Sequence, residues 1–259
     1  MCVRSLSTTT PEFNMGEPYT LITGATSDIG RNIARVLAPS TRILLAGRNE
    51  NLLQSVRTSC SNPETHQLWV KDLAQATNVG DELTCLLGSS GVSIAHFVHC
   101  AALFARGEIQ DFDPPSICQL FTVNLFSAVE IIRVLASRRA NGGMLRTITF
   151  LSSIATRIGI RGGSVYAASK GAMNALARSL AVELAPTVRV NSVLPGTLNP
   201  ERAKQSIPKP DALSEVEDCY PLGFGNAEAI ADVVAFVTSD KARWITGQEI
   251  VVDGGRSVV

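Results

Sequence analysis

"TLITGATSDIG", Thr20 to Gly30, decides the fold. The apolar run "TLIT" reads as the end of a buried strand, two glycines bracket a short polar turn, and "DIGRNIARVLAP" continues with helical period up to Pro39. In such a strand–turn–helix unit the glycines let a ligand approach the backbone closely. The positive end of the helix then offers N–H groups to a phosphate. Asp28 stands where a third glycine would complete GxxxGxG, so Gly24-x5-Gly30 alone suits a plain βα turn equally well. We expect Asp28 to be an early helix residue whose carboxylate caps free N–H groups and points away from any phosphate.

Further short apolar runs repeat this pattern: "RILLAG", "HQLWV", "HFVHC", "LRTITFLSS", "VRVNSVLPG" and "QEIVVDGG". With "YTLIT" they predict seven strands alternating with helices, hence an α/β fold built on a parallel sheet with helices on both faces. "PPSICQLFTVNLFSAVEIIRVLASRR" predicts one long helix with prolines at its start and basic residues in its last turn. Residues 1–17 are expected to be a disordered tail and 18–259 a single domain. The segment 197–222, with four prolines and little periodicity, is expected to be a substrate loop.

Composition narrows the function. Hydrophobic residues make up 45% of the 259, enough for a substantial core. Lys+Arg and Asp+Glu both number 23, which argues against partners bound through bulk charge, nucleic acid and anionic membranes included. The six cysteines form no CxxC pair, so neither a zinc site nor a disulfide framework is expected, and a cytoplasmic setting fits. No apolar run approaches the roughly 20 residues of a membrane span. His96 and His99 fall on opposite faces of their strand, so no metal site is expected there. Trp69 and Trp244 lack the interleaved basic residues of a nucleic-acid surface.

The sharper chemistry lies further along. "GR" at Gly47-Arg48 closes the second strand with a cation and no carboxylate, which suits a ribose 2′-phosphate better than a 2′-hydroxyl. Tyr166 and Lys170 stand at i and i+4 and share a helix face. A neighbouring ammonium favours the phenolate, so Lys170 is expected to lower the Tyr166 pKa and make it a proton exchanger, with Ser153 holding the substrate oxygen.

Thr23-Gly24-x5-Gly30, "DL" at Asp72-Leu73, Asn124, Ser153, Tyr166-x3-Lys170, "RVNSVLPG" (189–196) and "ITGQEIVVDGG" (245–255) together resemble the short-chain dehydrogenase/reductase family, from Tyr19 onward. The chain looks most similar to the single-domain branch that contains the 3-oxoacyl-[acyl-carrier-protein] reductases. The resemblance implies a Rossmann-type doubly wound sheet in strand order 3-2-1-4-5-6-7. It also implies a catalytic set of Asn124, Ser153, Tyr166 and Lys170, with Asn124 holding a water that links Lys170 to solvent.

Implied cofactor contacts are Thr23, Gly24, Ser27, Ile29, Gly30, Arg48, Asp72, Leu73, Cys100, Ala101, Tyr166, Lys170, Pro195, Gly196 and Thr197. The cofactor is expected to be NADP(H), the substrate a small-molecule or carrier-bound carbonyl, and the assembly a homotetramer or homodimer. The chain departs from the family pattern at His99-Cys100-Ala101-Ala102, where "NNAG" is usual, at Pro200, where a threonine is common, and at Asp28. An NAD-dependent alcohol or sugar dehydrogenase of the same fold, or a non-catalytic dinucleotide-binding regulator, remain as alternatives.

Overall fold

The seven apolar runs become seven parallel strands. In the computed structural model, which describes residues 17–198 and 216–259, they are β1 (Tyr19–Thr23), β2 (Arg42–Gly47), β3 (Gln67–Val70), β4 (Ile94–His99), β5 (Thr147–Leu151), β6 (Arg189–Pro195) and β7 (Glu249–Val252). Their order in the sheet is β3-β2-β1-β4-β5-β6-β7, as the family resemblance implies. Nearly all of the tail expected at 1–17, and most of the 197–222 segment with Pro200, lie outside the described residues.

The helices are α1 (Asp28–Leu37), α2 (Glu50–Thr58), α3 (Val79–Ser90), α4 (Pro114–Phe121), α5 (Ser127–Leu135), α6 (Arg138–Asn141), α7 (Ser164–Glu183) and α8 (Ala227–Thr238). Because both faces of a parallel sheet are covered, consecutive strand residues enter different cores. Leu21, Phe97, Ile148 and Val190 pack with Leu83, Ile131 and Ala177 of α3, α5 and α7. Ile22, Val98 and Val193 face the other way, onto Ile33, Leu53 and Val234 of α1, α2 and α8. A one-residue slip in any strand would exchange these sets, so the register is firmly specified.

The helix expected across Pro114 and its sequel is interrupted by a five-residue π turn, Thr122–Phe126, between α4 and α5. Counted together, Pro114–Leu135 is long and apolar enough to cross a membrane, contrary to the expectation from sequence that nothing reaches that length. It lies instead against the sheet, with Ala128, Ile131, Ile132 and Leu135 in the core. A core helix meets the same length and composition test.

Strand register places the site. Thr23 is level with Ala46 and with His99, His99 with Phe150, Leu151 with Val193, and Pro195 with Val252. The segments that begin at Gly24, Arg48, Cys100, Ser152 and Gly196 therefore leave the sheet along one carboxyl edge. Ligands of doubly wound sheets bind at that edge, where strand order reverses between β1 and β4.

Burial lowers the pKa of all three histidines. His96, 2.8 Å from Thr147 Oγ1, is pushed down to about 4. His99 is pushed down to about 3, with the Lys170 ammonium adding to the effect of burial, and His66 moves the same way. The unfolded chain, with ordinary histidines, therefore binds more protons than the folded one below pH about 6.5. Stability is complete above that pH and is lost as pH falls toward the folded values. In urea unfolding at pH 6.5 down to 4.5, each strongly shifted histidine is expected to contribute up to about 1.4 kcal/mol per pH unit. His96→Gln should flatten the slope; an unchanged slope would contradict this origin.

Candidate active site

The turn after β1 has no room for a side chain at either of its glycines. Gly24 has φ +64°, and a Cβ on it would sit 2.7 Å from the Cα and N of Ala101; a Cβ on Gly30 would sit 2.3 Å from the Gly24 carbonyl oxygen. Both glycines are thus required by the backbone alone. Ser27 is extended and caps α1: its Oγ accepts the Gly30 N–H at 3.0 Å and donates to the Gly24 carbonyl at 2.8 Å. The cap expected of Asp28 therefore belongs to Ser27. Asp28 is the first helical residue, half exposed, with its carboxylate 4.0 Å from Arg31. The Ile29 N–H at the same helix start has no acceptor among the described residues. A turn with no Cβ at either glycine, beside such a donor, fits a dinucleotide pyrophosphate.

One side of the edge is built from the ends of β2 and β3. A Cβ at Gly47 would lie 3.3 Å from Leu53 and 3.7 Å from Thr26, so the position is close-packed against the first turn. Arg48 is exposed and has no ion pair among the described residues. Asp72 is half buried, and one carboxylate oxygen accepts the Ala74 N–H at 3.0 Å, which fixes its direction beside buried Leu73. Cys100, also buried, lies 3.5 Å from Ser27 Oγ.

At the centre of the edge, α7 starts two residues before Tyr166, so its first turn carries the phenol and its second the Lys170 ammonium. The Ser153 hydroxyl lies near enough to the Tyr166 phenol to act on its ionisation. Ser153 is itself oriented by accepting the Ala155 N–H at 3.1 Å. Burial pushes the Tyr166 pKa up to about 12, against the smaller downward pull of Ser153. The lowering by Lys170 expected from the i, i+4 spacing is not present. The lysine Nζ is 5.8 Å from the phenol ring centroid and is committed to the Leu151 carbonyl at 2.7 Å. Lys170 is buried, and desolvation brings it down to about 8.

Asn124 is fully buried in the π turn. Its side-chain oxygen accepts the Leu103 N–H at 2.7 Å, and its amide donates to the Leu103 carbonyl at 3.1 Å and to Ser169 Oγ at 3.0 Å. The amide is thus occupied in holding the segment after β4. That segment carries Phe104, whose ring meets Tyr166 edge-on at 5.0 Å between centroids.

At the far end, a Cβ on Gly196 would lie 2.8 Å from Asp253 Cα. Thr197 is clamped by Tyr220, whose hydroxyl accepts the Thr197 N–H at 3.1 Å and donates to Thr197 Oγ1 at 2.7 Å. Tyr220 was hidden in the proline-rich segment; its only sign in the sequence is an aromatic residue directly before Pro221.

A glycine turn at the switch point of a seven-stranded doubly wound sheet, with a serine, tyrosine and lysine converging beside it, defines a nicotinamide-dinucleotide oxidoreductase. Residues 24–257 match the family model described as enoyl-(acyl carrier protein) reductase. The chain is 30% identical over 238 residues to an L-xylulose reductase of Bos taurus, covering 91% of this chain and 94% of that one. It is also 30% identical over 250 residues to a 3-oxoacyl-[acyl-carrier-protein] reductase of Thermotoga maritima, covering 91% and 96%. Among solved structures, a short-chain dehydrogenase/reductase titled glucose/ribitol dehydrogenase, from Brucella melitensis, superposes with a TM-score of 0.79 at 27% identity, covering 92% of this chain and 96% of that one. The chain belongs to the short-chain dehydrogenase/reductase family.

Proposed function

We propose that this protein reduces a ketone to a secondary alcohol with NADPH. The observation that carries the reading is the Tyr166 phenol, which its surroundings keep protonated, beside Ser153 and at the same sheet edge as the glycine turn. A protonated phenol is a donor, which suits reduction. Ser153 orients the carbonyl oxygen, Tyr166 gives it a proton, and Lys170 holds the nicotinamide ribose. Thr23, Gly24, Ser27, Ile29 and Gly30 receive the pyrophosphate. Asp72 and Leu73 take the adenine, the backbone at Cys100 and Ala101 lines the adenosine side, and Pro195, Gly196 and Thr197 lie beside the nicotinamide. When bound, NADPH supplies the hydride.

The relatives named L-xylulose reductase and 3-oxoacyl-[acyl-carrier-protein] reductase support a keto group on a sugar or a carrier-bound acyl chain as the substrate. A cytoplasmic homo-oligomer completes the proposal. Its contact faces are the apolar side chains left exposed on the long helices, at Phe126, Val129 and Val182, and near the last strand, at Trp244 and Val251.

The choice of NADPH over NADH rests on Gly47 and Arg48. A charge-assisted hydrogen bond contributes about 1.5–3 kcal/mol. Arg48→Ala is therefore expected to weaken NADPH binding by about 10- to 100-fold in a fluorescence titration while changing NADH by less than about threefold. An equal effect on both nucleotides, or a wild type that prefers NADH, would defeat the assignment.

A further inference from the structure

We propose that His99 is a positioning residue: its neutral imidazole ties the nucleotide turn to the π turn of Asn124, holding the cofactor-binding and proton-transfer groups in one frame. The proposal rests on the reading of the site given under Proposed function.

The geometry leaves one arrangement of protons. His99 Nε2 lies 3.2 Å from the Asn124 carbonyl oxygen, which can only accept, so Nε2 carries the hydrogen. The ring is fully buried beside the Lys170 ammonium, so it is neutral and Nδ1 is an acceptor. Thr23 Oγ1, 2.9 Å away, must then donate to Nδ1, and its lone pairs accept the Ala101 N–H at 3.4 Å. The result is a one-way chain, from Ala101 through Thr23 and His99 to Asn124. Thr23, His99 and Asn124 are all 0% exposed, so no solvent can replace a lost member. Phe97 and Phe150 hold the ring from two sides, at centroid distances of 5.8 and 6.4 Å.

Each end of the chain touches a different part of the site. Thr23 precedes Gly24, whose conformation shapes the nucleotide turn. Asn124 anchors Leu103 by both backbone groups and so places Phe104 against Tyr166; through Ser169, whose hydroxyl donates to the Tyr166 carbonyl at 2.7 Å, it also reaches the start of α7. A π turn displaces carbonyls from the regular helical ladder. The imidazole supplies the Asn124 carbonyl with a donor from the neighbouring strand. Only a side chain with polar atoms at two depths can serve both ends.

Two substitutions separate the ends. Asparagine places an amide oxygen near the position of Nδ1 but does not reach that of Nε2; glutamine places an amide nitrogen near Nε2 but leaves Thr23 without its acceptor. A neutral hydrogen bond contributes about 0.5–1.5 kcal/mol, or about 2- to 13-fold. His99→Asn is therefore expected to lower kcat by up to about tenfold with NADPH affinity within about twofold. His99→Gln should weaken NADPH affinity by about 3- to 10-fold with kcat within about twofold.

The measurements are kcat on a reducible ketone, NADPH titration and thermal melting for the full chain and both variants. Opposite splits between kcat and affinity support the positioning role. Parallel losses that track the melting temperature, or no change in either variant, overturn it. If a variant fails to fold, 15N NMR of the histidines in the unaltered chain keeps the test: a neutral His99 ring with its hydrogen on Nε2 is expected between pH about 6 and 8, and a hydrogen on Nδ1 or a charged ring overturns the proposal. A wild-type chain that neither binds nor turns over NADPH would defeat the functional reading itself, whereas with an active wild type the variants test His99 alone.

Discussion

Tyr166→Phe is expected to lower kcat for carbonyl reduction by about 100- to 10,000-fold while leaving NADPH affinity within about twofold. The substitution removes one oxygen and keeps the ring that packs against Phe104. Loss of packing is therefore not a competing explanation. Among the described residues on this edge, the phenol combines a proton held at physiological pH, by a pKa pushed up to about 12, with a place beside Ser153, which we propose orients the carbonyl. Lys170 cannot replace it, because its ammonium is buried and donates to the Leu151 carbonyl. Steady-state rates with nucleotide titration separate the two effects. Full activity in the variant would mean that the proton comes from elsewhere.

Gly24→Ala is expected to weaken dinucleotide binding by more than about 100-fold or to prevent stable folding. Two penalties act together. The φ of +64° costs an alanine roughly 1–2 kcal/mol. A Cβ at 2.7 Å from the Ala101 backbone then forces the turn away from β4, because main-chain atoms cannot rotate aside as a side chain would. The turn's N–H groups, which we propose face the phosphates, move with it. Circular dichroism and NADPH titration read the two outcomes, and a folded variant with wild-type affinity would show that the turn does not hold the nucleotide.

The strands were legible because a parallel sheet covered on both faces writes each strand as a short apolar run closed by a turn residue, as in "RILLAG" and "VRVNSVLPG". Tyr166 and Lys170 were legible because helical spacing alone puts i and i+4 on one face. Direction within that face was not. Lys170 turns to the Leu151 carbonyl, a partner 19 residues away that no local pattern announces. The π turn at Asn124 was equally silent, since inserting a residue into a helical register leaves the apolar period nearly intact. His99 is the clearest case. Read alone it is a histidine closing an apolar strand, and its meaning comes from Thr23, 76 positions earlier, and Asn124, 25 later, which only the sheet brings together. Asp28 is the early helix residue expected, but the cap is Ser27, one place earlier, which has the extended backbone a cap needs.

The central claim is NADPH-dependent carbonyl reduction, and initial rates of NADPH and NADH oxidation against ketones, keto sugars and 3-oxoacyl thioesters test it most directly. The expected result is turnover of at least one keto substrate, faster with NADPH than with NADH at equal concentration. Tight NADPH binding with no turnover across the panel would contradict it and mark the chain as a dinucleotide-binding module instead.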